Sequence, residues 1–291
     1  MNTHRILVPT DLTDFGAAAL RHAAVLRDPL DAHLTVLYAD EPSWVLGMPD
    51  LPVASYQRTA ADKEQLARTV RAHVEKYVPP PLPEIRIAET FATQAILEAA
   101  EAVDASLIVM GTHGRRGWKR LMLGSIAEHV LRQTERPVMT VGPAPQFDDG
   151  PRYRTVLCPV NFSRVGLDAL REAGAMAARL DCDLVVLYVV EKPDSPPSEE
   201  LDREFAAWID PQLRGRCRYR QIVAAGNAAD RVLEIAEQID ADLLVIGAQR
   251  KPFRDAAIIG STSERVVRFA TCPVLTVVRP LETVATGIHA A

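Results

Sequence analysis

Short apolar runs alternate with amphipathic stretches along most of the chain. Arg5 to Pro9 reads as a strand that stops at proline, and Thr10-Asp11-Leu12-Thr13 then offers helix-capping side chains. An alanine-rich stretch from Phe15 to about Arg27 places apolar residues at helical spacing, and strand formers follow from His33 to Ala39. Pro42 to Val53 carries three prolines, a tryptophan and a glycine, and reads as a loop or a mobile cover. A charged amphipathic helix is expected from about Gln57 to Tyr77, closed by Pro79-Pro80-Pro81. A weak strand over Glu84 to Ala88, a helix over Gln94 to Ala102, a buried strand over Leu107 to Met110, a helix over Ile126 to Gln133 and a last strand in Arg136 to Val141 complete the unit.

The order is β-α-β-α-β-α-β-α-β. Strands alternating with helices of this length imply a parallel sheet with helices on both faces, because parallel neighbours need a crossover connection. Gly142 to Tyr153 reads as a linker rich in proline, glycine and acid, and the pattern then begins again. Ile6-Leu-Val-Pro-Thr-Asp11 recurs as Val156-Leu-Cys-Pro-Val-Asn161, and His33 to Tyr38 as Asp183 to Tyr188, both 150 residues on. Gly111, Gly124, Ser125 and Pro137 recur as Gly247, Gly260, Ser261 and Pro273, now 136 residues on. The difference, 150 − 136 = 14, is a deletion in the second copy between its second strand and its glycine loop, with Pro42 to Val53 as the source. The fold class expected is α/β: two tandem Rossmann-like, doubly wound domains, each a five-stranded parallel sheet. Their expected bounds are 1–143 and 154–281, with a linker over 144–153 and a tail over 282–291.

Composition narrows the function classes. The 291 residues are 48% hydrophobic and 24% charged, as in an ordinary folded protein. The net charge of −5 supplies no basic field for nucleic acid. No run approaches the length of a membrane span, and the first strand starts too early for a signal peptide, so a cytoplasmic protein with no membrane partner is expected. Cys158, Cys182, Cys217 and Cys272 have no C-x2-C spacing and read as reduced packing residues.

The stretch that carries chemistry is Gly111 to Ser125, GTHGRRGWKRLMLGS, with the skeleton Gly-x2-Gly-x9-Gly-Ser between an apolar strand and a helix start. Glycines let bare amides approach an anion, and a helix N-terminus adds about half a positive charge, so the stretch reads as a phosphate cradle. Arg115, Arg116, Lys119 and Arg120 within it read either as a solvated face or as attraction for a polyphosphate. His113 has no second ligand at metal spacing and reads as a loop residue, and Trp118 either packs over the loop or stacks on a base.

With these motifs the chain resembles the universal stress protein family in a tandem form. The resemblance rests on Ile6-Leu-Val-Pro-Thr-Asp11, Met110-Gly-Thr-His-Gly114, Gly124-Ser125 and the closing Arg-Pro-Val strand. It implies an ATP site in the first domain, with Mg2+ carried on the phosphates. Gly111 and Gly114 would let the loop pass ribose and phosphates, and Gly124, Ser125 and Ile126 would offer amides to the phosphates. Pro9, Thr10 and Asp11 would line the nucleoside side, with Ala39 and Met110 beside the base. Asp11 also reads as a helix cap, and Met110 as a core residue. In the second copy Gly114 becomes Arg250 and Asp11 becomes Asn161, so that site is expected to be weak or dead unless the Arg250 guanidinium itself takes a phosphate.

A nucleotide-dependent stress-response module acting on an unknown protein partner is therefore expected. A slow ATP-hydrolysing or adenylate-transferring enzyme and an interaction scaffold are the alternatives. No Walker A run, Asp-rich magnesium site or nucleophile with a base supports catalysis beyond weak ATPase activity. The family's habit of pairing through last strands implies that Val138 to Val141 and Val274 to Val278 meet within the chain or between the chains of a homodimer.

Overall fold

A computed structural model describes residues 4–41, 58–112, 123–142, 152–191, 198–249 and 260–279. The first repeat runs β1 (His4–Thr10), α1 (Asp14–Arg27), β2 (Ala32–Ala39), α2 (Ala60–Tyr77), β3 (Glu84–Ala88), α3 (Ala92–Ala102), β4 (Leu107–Gly111), α4 (Ser125–Gln133) and β5 (Val138–Val141). The second runs β6 (Thr155–Val160), α5 (Arg164–Leu180), β7 (Asp183–Val190), α6 (Glu199–Leu213), β8 (Tyr219–Ala225), α7 (Ala228–Gln238), β9 (Leu243–Gln249), α8 (Ser261–Phe269) and β10 (Val274–Arg279). Local signals set the helix starts. Thr59 and Asp62 form a reciprocal capping box at α2, while Ser163, Ser198 and Asn227 cap α5, α6 and α7 with their side chains.

Within each repeat all strand pairs are parallel, in the orders β3-β2-β1-β4-β5 and β8-β7-β6-β9-β10. The two halves join edge to edge: β5 and β10 pair antiparallel, Thr140 opposite Val274 and Val138 opposite Thr276, giving one ten-stranded sheet. The last strands thus meet within the chain. β5 lies between β4 and β10, and β10 between β5 and β9, so a homodimer through these strands would have to displace the internal pairing.

Alternating side chains feed two cores. Ile6 and Val8 belong to one core layer that holds Leu20 of α1 and Val70 of α2 and continues through the second repeat to Leu170 of α5 and Phe205 of α6. Leu7 points the other way, into a core with Ile96 of α3, Val130 of α4, Val232 of α7 and Val266 of α8. The repeat offset also localises the deletion. Ala39 pairs with Ala88 as Val189 pairs with Ala224, offsets of 189 − 39 = 150 and 224 − 88 = 136. The buried Val70 and Val74 of α2 recur as Phe205 and Ile209 of α6, and 205 − 70 = 135. The missing residues therefore fall between β2 and α2, the interval that contains Pro42 to Val53, itself outside the described residues.

Candidate functional site

The strand order reverses between β1 and β4, and open parallel sheets bind ligands beyond the carboxyl ends of their strands at such a point. Thr10 is in register with Tyr38, one residue before Ala39. Leu7 is in register with Ile108, so three residues on Thr10 stands level with Gly111. Pro9, Thr10, Ala39, Met110 and Gly111 are thus gathered on one edge of the sheet. Met110 is 4% exposed and belongs to the core under α3 and α4, the packing role that its apolar run suggests.

Asp11 organises the turn out of β1. Its Oδ1 accepts from the Thr13 amide at 3.1 Å and from the Thr13 hydroxyl at 2.6 Å, while Thr10 Oγ1 accepts from the Leu12 amide at 3.3 Å. The residue at the N-cap of α1 is Thr13, so Asp11 secures the cap rather than being it. Asn161 Oδ1 takes the same two bonds from Ser163 in the second repeat. The turn needs an oxygen acceptor and no charge; the charge is what Asp11 adds. Leu12 sits at φ 64°, where a side chain costs about 1–2 kcal/mol. The other non-glycine residues at positive φ among the described residues are four aspartates in two repeat-related pairs, Asp31 with Asp181 and Asp104 with Asp240. The strain at Leu12 has no such counterpart.

Gly111 has a packing reason to be glycine. A Cβ there would lie 2.9 Å from Phe15 Cβ and 3.0 Å from the Phe15 carbonyl oxygen, and Gly247 stands in the same relation to Val165. Gly16 does likewise at the start of α1, where a Cβ would come within 2.6 Å of Thr10 Oγ1. These close contacts seat α1 under the ends of β1 and β4.

Beyond Gly111 the Thr112 amide donates to the Val141 carbonyl at 2.8 Å, and the Gly124 amide donates to the Thr112 carbonyl at 2.6 Å. The two stems of the glycine loop are thereby clasped. Leu123 is buried, Ser125 and Ile126 are exposed, and no side chain caps α4 at Gly124. The helix start is therefore an open set of amide donors beside the β1 and β4 ends, which suits an anion. Gly114 lies outside the described residues, as do His113, Trp118, Arg115, Arg116, Lys119, Arg120 and Arg250.

Sequence reasoning passed over Asp40 and Glu41, directly beyond Ala39. Asp40 Oδ1 and Oδ2 accept from Arg58 at 2.7 and 2.5 Å, a bidentate clasp whose carboxylate is 11% exposed. Glu41 Oε1 accepts from the Ala92 amide at 3.0 Å and so caps α3, as Glu191 does for α7 through Ala228. The available signal was an acid at position 40 where the second repeat has the buried Val190. Nearby, burial pushes the His73 pKa down and Lys76 adds to this, against the opposing pull of Asp11 and Asp14. Among the described residues no cluster of three His, Cys, Asp or Glu side chains could hold a metal, and no helix is long and apolar enough to cross a membrane.

Comparison with known proteins agrees with this architecture. The chain is 29% identical over 297 residues to a universal stress protein of Mycolicibacterium smegmatis, covering 94% of this chain and 97% of that one. It is 30% identical over 148 residues to a universal stress protein of Methanocaldococcus jannaschii, covering 47% of this chain and 81% of that one. In fold it matches the crystal structure of a universal stress protein from Archaeoglobus fulgidus with a TM-score of 0.69 at 22% identity, over 95% of this chain and 98% of that one. The family model described as the universal stress protein family matches twice, at residues 2–142 and 152–278, and the chain belongs to that family in tandem form.

Proposed function

We propose that the first repeat binds ATP, with Mg2+ on its phosphates, and that the protein is a nucleotide-dependent regulatory module of the stress response. The observation that carries this reading is the 2.6 Å clasp from the Gly124 amide to the Thr112 carbonyl. It holds an uncapped helix start beside the carboxyl ends of β1 and β4 at the switch point, where a phosphate chain would meet amide donors. In this reading Gly124, Ser125 and Ile126 present amides to the phosphates. Asp11, already holding the turn through one oxygen, supplies the negative charge that accepts from adenine or ribose. Pro9, Thr10 and Ala39 line the nucleoside side, and Met110 closes the floor from the core. Gly114 gives the loop its bare backbone.

The second repeat keeps the turn through Asn161 and the uncapped helix start at Gly260 but lacks the acid. We therefore assign one nucleotide to each chain. Calorimetric titration of the full chain with Mg-ATP is expected to give one site of about micromolar affinity, an ordinary range for small ligands. Absence of heat at millimolar ATP would overturn the assignment.

A further inference from the structure

We propose that Cys182 and Cys217 form a redox pair that closes to a disulfide within the chain when the protein meets a peroxide. Leu184 of β7 is in register with Tyr219 of β8, and Cys182 and Cys217, one and two residues before the starts of those neighbouring strands, line one recess at their entrance. Adjacent strands lie about 4.8 Å apart, inside the Cα separation of roughly 4.4–6.8 Å that a disulfide bridges. Both thiols belong to the same face of the sheet. Cys182 is part of the core under α5 and α6, and Cys217 packs against that core. The α5 helix covers them with small residues: Cys182 Sγ lies 3.9 Å from the Ala177 carbonyl oxygen, and a Cβ on Gly174 would be 4.0 Å from Cys217 Sγ.

The register is pinned by Arg218, the neighbour of Cys217. Its Nε donates to Asp183 Oδ1 at 2.9 Å, and its Nη1 and Nη2 donate to Asp181 Oδ1 at 2.8 Å and to the Asp181 carbonyl at 3.0 Å. The guanidinium thus grips the residues on either side of Cys182. The Leu184 amide donates to the Arg218 carbonyl at 3.0 Å and completes the clamp. A solvent-open recess of about 270 Å³, lined by Ala178, Asp181, Arg216 and Arg218 with both cysteines, admits a small oxidant. The first repeat has Ala32 and Pro81 at the matching positions, so the pair belongs to the second repeat alone.

The step balances with hydrogen peroxide as oxidant. The half-buried Cys217 thiolate attacks one peroxide oxygen, the O–O bond breaks, and hydroxide leaves to become water. The Cys182 thiolate then attacks the Cys217 sulfenic sulfur; the S–S bond forms, the S–O bond breaks, and the second hydroxide takes a proton. Two thiols lose two electrons in all, and one peroxide becomes two waters. Burial pushes the Cys182 thiol up to about 11 and raises Cys217 as well, so thiolate is scarce at neutral pH and the pair withstands mild oxidants. Cys272 packs with the opposite core, and Cys158 sits opposite Val186, four residues beyond Cys182 along β7.

The test is peroxide treatment of the full-length protein, alkylation of the remaining thiols and non-reducing peptide mass mapping. The expected result is loss of two of the four thiols, one cross-linked peptide pair joining Cys182 to Cys217 in the same chain, and recovery with dithiothreitol. Cys217→Ser, at the half-buried position, removes the cross-link, whereas Cys158→Ser with Cys272→Ser keeps it. Arg218→Ala slows its formation severalfold. Cys217 carried to sulfinic acid while Cys182 still alkylates, a cross-link between chains, or four intact thiols once methionines have oxidised would each overturn the proposal.

Discussion

The Nδ1 of His22 lies 2.6 Å from the hydroxyl of Tyr153, and both side chains are buried. His22 is on α1 of the first repeat and Tyr153 leads into β6 of the second, so one hydrogen bond spans the two halves, 131 residues apart. Burial, with the charge of Arg21 adding to it, lowers the His22 pKa to about 4, while burial and the charge of Asp242 raise the Tyr153 pKa well above its ordinary value. The bond therefore joins an uncharged imidazole to an uncharged phenol, with no ion pair between the halves at this point.

Because the folded His22 pKa lies below the ordinary 6.5, the unfolded chain binds this proton first. The contribution of His22 to stability is present above pH 6.5 and is lost as the pH falls towards 4. A gap of about 2.5 pH units corresponds to roughly 3 kcal/mol. Denaturant midpoints between pH 7.5 and 4.5 are expected to fall more steeply for the native protein than for His22→Phe. Equal slopes would show that the imidazole is not held neutral.

Gly111→Ala separates packing from ligand contact. The added Cβ meets the Phe15 backbone, which belongs to a helix and cannot swing away, so a loss of about 1–3 kcal/mol is expected without any nucleotide present. Thermal melting of the ligand-free protein measures it. An unchanged midpoint would assign Gly111 to the ligand alone.

Asp11→Asn copies the second repeat, where Asn161 makes the same turn. Stability is expected to change by less than about 1 kcal/mol while ATP affinity falls about tenfold or more, as for loss of a charged hydrogen-bond acceptor. Melting and calorimetry on the same sample distinguish the two effects. Equal affinity would leave Asp11 as a turn residue only.

Arg58→Met leaves the largely buried Asp40 carboxylate without its bidentate clasp. A loss of about 1 kcal/mol is expected, modest because the arginine is more than a third exposed. Adding Asp40→Val, the residue type at Val190, is expected to recover most of it. A double variant as unstable as the sum of the single ones would argue that the two side chains act independently.

The repeat arithmetic in the sequence carried much of the fold. Matching apolar runs 150 and 136 residues apart located the strands and the deletion, since strand period and glycine positions are local properties. The antiparallel pairing of β5 with β10 was left open because an apolar edge strand does not say which copy covers it. Asp11 was visible as a helix cap, a place that Thr13 takes, but its bonds to Thr13, the left-handed Leu12 beside it and the contact between Gly111 and Phe15 depend on how α1 packs beneath the sheet. The His22–Tyr153 bond joins residues whose separation matches no local pattern. Asp40 and Arg58 pair across a long insertion and left only the contrast of an acid with Val190.

The asymmetry between the halves is tested most directly by photolabelling the full chain with azido-ATP, with excess ATP as competitor, and mapping the labelled peptides. Label confined to the half matched by residues 2–142, and weakened by Gly114→Arg, which copies Arg250, is the expected result. Label in the second half alone, or equally in both, would contradict the assignment of a single site to the first repeat.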